Sequence, residues 1–198
     1  MPRKDRSETV YDGSVHHVVQ RGINKSSIFK KNEDYACFKE IVKRYLAGRE
    51  VNIYNYCLMP NHIHMLIYVR QSPQLSKFMQ AVSLAYGAYY RKVYKYTGYF
   101  WKGRFKNFNI EKDSYLLECA RYIERNPLRT RHKMVEDVGL YRWSSYNFYV
   151  SGTNDDIVTT NPLYKDFGKE IAERQNRYKE YILTPRPYEE VLDDVFRL

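Results

Sequence analysis

Apolar residues along this chain fall into short β-rich runs separated by stretches of helical spacing. Residues 14–21 (Ser-Val-His-His-Val-Val-Gln-Arg) read as a strand that Gly22 breaks. Tyr35, Phe38, Ile41, Val42 and Tyr45 then recur at helical intervals, which predicts a helix from about 32 to 47, capped by Asn32 or Asp34 and ended by Gly48. Residues 51–58 and the apolar stretch after them form two strands, joined as a hairpin by Pro60-Asn61. Ser72-Pro73 opens a long helix to about 96, with Leu75, Phe78, Met79, Val82, Leu84, Ala85 and Ala88 on its buried side. Beyond Thr97-Gly98, residues 104–110 read as another strand. Asp113 or Ser114 caps a helix that runs to Arg125, stopped by Pro127 because a proline pushes its predecessor out of the α region. The order β-α-β-β-α-β-α predicts an α+β fold, a ferredoxin-like, largely antiparallel sheet with helices packed on it.

Charge divides the chain. Residues 1–154 carry 26 Lys and Arg against 13 Asp and Glu, whereas 155–198 carry 7 against 10. The expected organisation is a basic functional domain over 1–150 and an acidic C-terminal extension over 151–198 with no assigned role. A net charge of +10 combined with 16% aromatic residues, 21 of them Tyr, is the composition of a nucleic-acid binder, in which cations track phosphates and rings stack on bases. A merely solvated basic surface is the plainer reading. Cys37, Cys57 and Cys119 are odd in number and form no C-x-x-C, which argues against a disulfide framework or a thiolate zinc site and fits a reducing compartment. The first residues are polar and no apolar run approaches the roughly 20 residues of a membrane span. The expected setting is cytoplasmic, at the nucleoid, with no membrane partner.

The run 58–69 holds the most specific chemistry. His62-Ile63-His64 lies in an apolar strand, and strand side chains alternate faces, so the two imidazoles point the same way. Aimed together, they suit one divalent cation. Two partly exposed strand histidines fit the same spacing, and two ligands do not complete a site; His16, His17, His132 or oxygen donors are the candidates for a third. Residues 91–106 add Arg91, Lys92, Lys95, Lys102, Arg104 and Lys106, without any acidic residue, interleaved with Tyr94, Tyr96, Tyr99, Phe100, Trp101 and Phe105. Such a loop can lay charge along a phosphate backbone while rings meet bases. Arg121, Arg125, Arg129 and Arg131 extend this basic field. On the last predicted helix, Tyr115, Cys119, Tyr122 and Asn126 share a stripe, with Tyr122 and Asn126 one turn apart.

Four segments occur in a telling order: Tyr56-Cys57-Leu58-Met59-Pro60-Asn61-His62-Ile63-His64, Trp101-Lys102-Gly103-Arg104-Phe105-Lys106, Arg121-Tyr122-Ile123-Glu124-Arg125-Asn126-Pro127, and Tyr141-Arg142-Trp143-Ser144-Ser145-Tyr146. With Val18-Val19-Gln20-Arg21-Gly22 ahead of them, they resemble the single-tyrosine HUH transposase family, in particular the REP-associated tyrosine transposases and their insertion-sequence relatives. The resemblance covers residues 14–150.

It implies a catalytic domain in which His62 and His64 bind Mg²⁺ or Mn²⁺, Tyr122 is the nucleophile, and Asn126 completes the metal site at a position that is often Gln in the relatives. It also implies DNA contacts from Arg21, Trp101, Lys102, Arg104, Lys106, Arg125 and Arg129. The implied activity is metal-dependent nicking and rejoining of single-stranded or hairpin DNA through a 5′-phosphotyrosine, with a homodimer among the assemblies the family uses. A non-catalytic binder of structured DNA or RNA is the alternative from another class.

Overall fold

The computed structural model describes residues 9–130 and 133–186. Four strands, β1 (Ser14–Arg21), β2 (Val51–Met59), β3 (His62–Val69) and β4 (Lys106–Asn109), form one sheet in the order β2-β3-β1-β4. Each neighbouring pair is antiparallel, which is the ferredoxin-like arrangement expected from the order of elements. The β2–β3 connection is the Pro60-Asn61 hairpin turn.

The period-two alternation sorts the sheet into two faces. Gln20, Ile63, Met65, Tyr56 and Leu58 share the face covered by α1 (Asn32–Leu46) and α2 (Ser72–Tyr94), where Ser83 Oγ of α2 donates to Gln20 Oε1 at 2.8 Å. His17, Val19, Arg21, His62, His64, Cys57 and Asn55 share the other. That face is covered by α3 (Asp113–Arg129), whose Glu124 accepts from Asn55 Nδ2 at 2.9 Å. β3 is therefore buried on both sides, as its unbroken apolar run suggests.

Several elements differ from expectation in instructive ways. The N-cap of α1 is Lys31, and Asp34 acts from the third position by accepting the backbone N–H groups of Lys30 and Lys31. Leu84 is not on the buried side of α2; it is 62% exposed, because the stripe through Phe78, Met79, Val82, Tyr86 and Tyr90 leaves it roughly 100–200° away. Tyr115 is likewise exposed at the start of α3. The strand expected over 104–110 is confined to Lys106–Asn109, so Arg104 and Phe105 belong to the preceding loop.

Pro127 does not stop α3. The helix runs on to Arg129, and the carbonyl of Ile123, which the missing proline N–H would have served, accepts from Asn126 Nδ2 at 3.3 Å. A proline near a helix end sacrifices one bond, and here a neighbouring side chain replaces it.

The chain beyond 150, to which the sequence assigns no role, is folded to residue 186. Tyr146 and Tyr149 of a short α4 (Tyr146–Ser151) and Tyr178 and Ile182 of α5 (Ile171–Leu183) form a second apolar cluster with Val138, against which Tyr164 and Phe167 of a 3₁₀ segment (Pro162–Phe167) pack. α5 lies against α3 and α4.

Candidate active site

Sheet register brings the site together. β1 pairs Arg21 with His62 and Val19 with His64, so Arg21, His62, His64 and His17 stand on one face of two adjacent strands. Gly22 follows because the chain must fold back on itself there: a Cβ would lie 2.5 Å from the Ser26 carbonyl oxygen. The fold-back brings Gly22 N–H to the carbonyl of Asn61 at 2.9 Å, fixing the hairpin turn beside the first histidine.

Both imidazoles have one nitrogen occupied by the protein. His62 Nδ1 lies 2.5 Å from Asn61 Oδ1, and Asn61 Nδ2 donates to the Lys25 carbonyl at 3.2 Å. His64 Nδ1 lies 2.9 Å from His17 Nε2. The Nε2 atoms of His62 and His64 are the ones left for a ligand, on rings whose centroids are 4.8 Å apart. Burial, with the nearby Arg21 guanidinium as a second cause, lowers His62 to about 4. Burial first, then His62, His17 and Arg21, holds His64 well below the usual range. Both rings are therefore neutral at physiological pH, the state a metal ligand requires.

Tyr122 projects from α3 onto His64 and His17. Its ring is edge-on to His64, with centroids 5.7 Å apart, and to His17 at 5.8 Å. The Arg129 guanidinium carbon lies 5.2 Å from the Tyr122 ring centroid. One turn on, Asn126 Nδ2 donates to the carbonyls of Tyr122 and Ile123, at 2.9 and 3.3 Å. Its amide nitrogen is thus committed to the helix, and Oδ1 is the atom with ligand chemistry. Two neutral imidazoles and an amide oxygen fit a divalent cation, with imidazole suiting Mn²⁺ better than Mg²⁺. Among the described residues no group of three His, Cys, Asp or Glu side chains that could hold a metal converges, and the Asn126 amide oxygen is the candidate of another kind that the sequence offers.

The other third-ligand candidates fall elsewhere. His16 faces the opposite side of the sheet, where its Nε2 meets Ser14 Oγ at 2.8 Å. His17 meets His64 directly instead of standing beside it. His132 and Arg131 lie outside the described residues.

α3 packs mainly on the sheet through β2, and α5 ties it from the other side. Arg121 is fully buried and donates from Nε to the Tyr181 carbonyl at 3.2 Å and from Nη2 to that of Thr184, while Arg125 Nη1 reaches the carbonyls of Ile182 and Leu183 at 2.9 and 3.0 Å. Two arginines thus satisfy the C-terminal carbonyls of α5 and complement its dipole. Glu124, between them, accepts from Asn55, Ser145 and Tyr178, and Glu118 accepts from Tyr181.

Of the residues expected to meet DNA, Arg21 stands opposite His62, and Lys102 adjoins it through its N–H to the Arg21 carbonyl at 2.8 Å. Lys106 pairs with Val19 and shares the histidine face. Trp101 and Arg104 line a separate cavity of about 550 Å³ with Gln20, Gln80 and Ser83, where Trp101 Nε1 donates to the Ser83 carbonyl. Arg125 is engaged by α5, and Arg129 by the Tyr122 ring. Sequence reasoning missed Asn61 and treated His17 only as a ligand; the Asn61-His62 neighbourhood was the available signal for the first, and none existed for the second.

Residues 9–126 match the family described as "Transposase IS200 like". The chain belongs to that family. It is therefore a member of a DNA-processing transposase family, one whose chemistry is generally metal-dependent, and its basic excess has a nucleic-acid partner to account for it. A solved structure of the REP-associated tyrosine transposase bound to a REP hairpin is similar, at 15% identity and a TM-score of 0.62 over 81% of this chain and 92% of that one. At that identity the likeness is one of fold. A protein from Deinococcus radiodurans described as a candidate transposase aligns at 16% identity and a TM-score of 0.41, over 62% of this chain and 96% of that one. No protein among the curated sequences matches. No helix among the described residues is long and apolar enough to cross a membrane.

Proposed function

We propose that this IS200-like transposase nicks and rejoins single-stranded, hairpin-forming DNA, with Tyr122 as the nucleophile of a transposase-type strand transfer. The observation that carries the reading is the Tyr122 ring held edge-on at 5.7 Å from His64, whose Nε2, like that of His62, is left for a cation.

His62, His64 and Asn126 would hold Mg²⁺ or Mn²⁺, which when bound polarises the scissile phosphate and neutralises charge developing on it. Arg21 supplies a fixed positive charge opposite His62, with its Nε buried and lacking a hydrogen-bond partner among the described residues, suited to a phosphate oxygen. A free tyrosine ionises near about pH 10, so Tyr122 must lose its proton as it attacks; the Arg129 guanidinium lies where it favours the emerging phenolate. The Tyr122 oxygen–phosphorus bond forms as the bond from phosphorus to the 3′-oxygen breaks, and that oxygen takes up a proton to leave as a 3′-hydroxyl. The ester energy is kept in the 5′-phosphotyrosine, so another 3′-hydroxyl can reverse the step and join strands without a nucleotide cofactor.

Hairpin DNA is the proposed substrate because a similar fold carries one and because Trp101, Lys102, Arg104 and Lys106 combine rings with charge. The catalytic domain is read as 1–150. In this reading α5 of the extension holds α3 from within the same chain, which favours cleavage in cis over exchange of the tyrosine helix in a homodimer.

The test is a denaturing gel of labelled hairpin DNA incubated with protein and Mg²⁺, Mn²⁺ or EDTA. A metal-dependent covalent band that vanishes in Tyr122→Phe while hairpin binding persists is the expected result. Tight binding with no covalent band on any hairpin would leave a non-catalytic binder of structured DNA or RNA.

A further inference from the structure

Two imidazole nitrogens 2.9 Å apart, His17 Nε2 and His64 Nδ1, share a single hydrogen. Both rings are fully or almost fully buried, stacked with centroids 5.1 Å apart and planes 18° from parallel, between the sheet and α3. The shared hydrogen has two homes with opposite consequences. If it belongs to His17, the neutral His64 carries its own proton on Nε2 and presents an N–H to the site, which repels a cation. If it belongs to His64, then Nε2 of His64 is a bare lone pair and His17 is the acceptor, with its own proton on Nδ1.

His62 offers the comparison within the same site. Asn61 donates through Nδ2 to the Lys25 carbonyl, so Oδ1 is the atom that faces His62 Nδ1, and an amide oxygen can only accept. His62 is thereby committed to a bare Nε2. For His64 no carbonyl or carboxylate among the described residues plays that part; the partner is another histidine, on the neighbouring strand. Second partners of this kind set the tautomer and orientation of ligating imidazoles.

We propose that His17 is a positioning residue for the metal centre: it accepts the Nδ1 proton of His64 and so keeps His64 Nε2 open for a divalent cation. It is not itself assigned as the third ligand, since its Nε2 is bonded to His64 Nδ1. The inference rests on the metal reading above. The His17 ring also packs against Tyr122, 5.8 Å between centroids, and against Phe108, at 5.9 Å, which restrains its rotation and keeps the acceptor nitrogen aimed.

The first experiment needs no metal. A two-bond proton–nitrogen correlation spectrum of the full chain in EDTA reports the tautomer of each histidine. His64 in the Nδ1–H form, with His17 also in the Nδ1–H form, is expected; His64 in the Nε2–H form would overturn the proposal. The second is an electron paramagnetic resonance titration of the same protein with Mn²⁺. His17→Leu is expected to weaken binding by about 10–100-fold, and His17→Gln, which restores an acceptor oxygen, to recover most of it while both variants keep the wild-type circular dichroism spectrum. Wild-type binding that depends on His62 but is unchanged in His17→Leu overturns this inference alone. Absence of any His62-dependent Mn²⁺ binding in the wild type overturns the metal reading, and the inference with it.

Discussion

Asn126 replaces the donor that Pro127 lacks. In an unbroken helix the N–H of residue 127 would serve the carbonyl of Ile123; here Asn126 Nδ2 reaches that carbonyl at 3.3 Å and the Tyr122 carbonyl at 2.9 Å. The side chain proposed as a ligand through its oxygen therefore also holds the last turn of the nucleophile's helix through its nitrogen. Asn126→Ala is expected to cost about 1 kcal/mol of stability from the missing bonds. Adding Pro127→Ala returns a backbone donor to Ile123. The double variant should regain the melting temperature of the wild type yet form no covalent DNA adduct; an adduct at wild-type yield would remove Asn126 from the chemistry.

Glu124 makes stability depend on pH. Burial raises its carboxyl from 4.5 to about 7, against the opposing effect of hydrogen bonds from Ser145, Asn55 and Tyr178. The folded state then holds a proton that the unfolded chain releases near 4.5. Its contribution is fully present below about pH 4.5 and is lost as pH rises toward 7, by on the order of 3 kcal/mol. Urea unfolding in EDTA at pH 5 and pH 8 measures this, and Glu124→Gln should flatten the difference. An equal slope in the variant would assign the pH dependence to another group.

Arg121 joins the tyrosine helix to α5. Its Nε and Nη2 satisfy the carbonyls of Tyr181 and Thr184 at the end of α5, and the side chain is completely buried. Arg121→Ala should lower stability by on the order of 2–4 kcal/mol, since it removes charge-assisted bonds and buried volume and leaves helix-end carbonyls without donors. The loss should appear as increased amide exchange in both α3 and α5. Exchange confined to α5 would mean that α5 is held by α3 without reinforcing it in return.

Lys102 and Arg104 differ from these arginines in having their side chains exposed in the loop before β4. Replacing either with Ala should weaken hairpin binding at every salt concentration and reduce the slope of log affinity against log salt by about 1 for each phosphate that the variant no longer neutralises. Fluorescence anisotropy across a salt series gives the slope. An unchanged slope would take that residue out of the DNA interface.

Local pattern made much of this molecule legible. Period two in 62–69 was enough to put His62 and His64 on one face, and helical spacing was enough to put Tyr122 and Asn126 one turn apart, because both are relations within a single element. The Pro60-Asn61 turn likewise specified its hairpin. What could not be read were relations between elements. His17 meets His64 across 47 residues of sequence because β1 lies beside β3 in the sheet order, a pairing set by how the helices cross over and not by any pattern in β1 itself. Arg121 and Arg125 looked like part of a basic surface until α5 was seen to end on them. Leu84 counted as core by composition and is exposed by phase. Periodicity tells which side chains share a face; only the packed structure decides what that face meets, because burial and partner choice are properties of two surfaces at once.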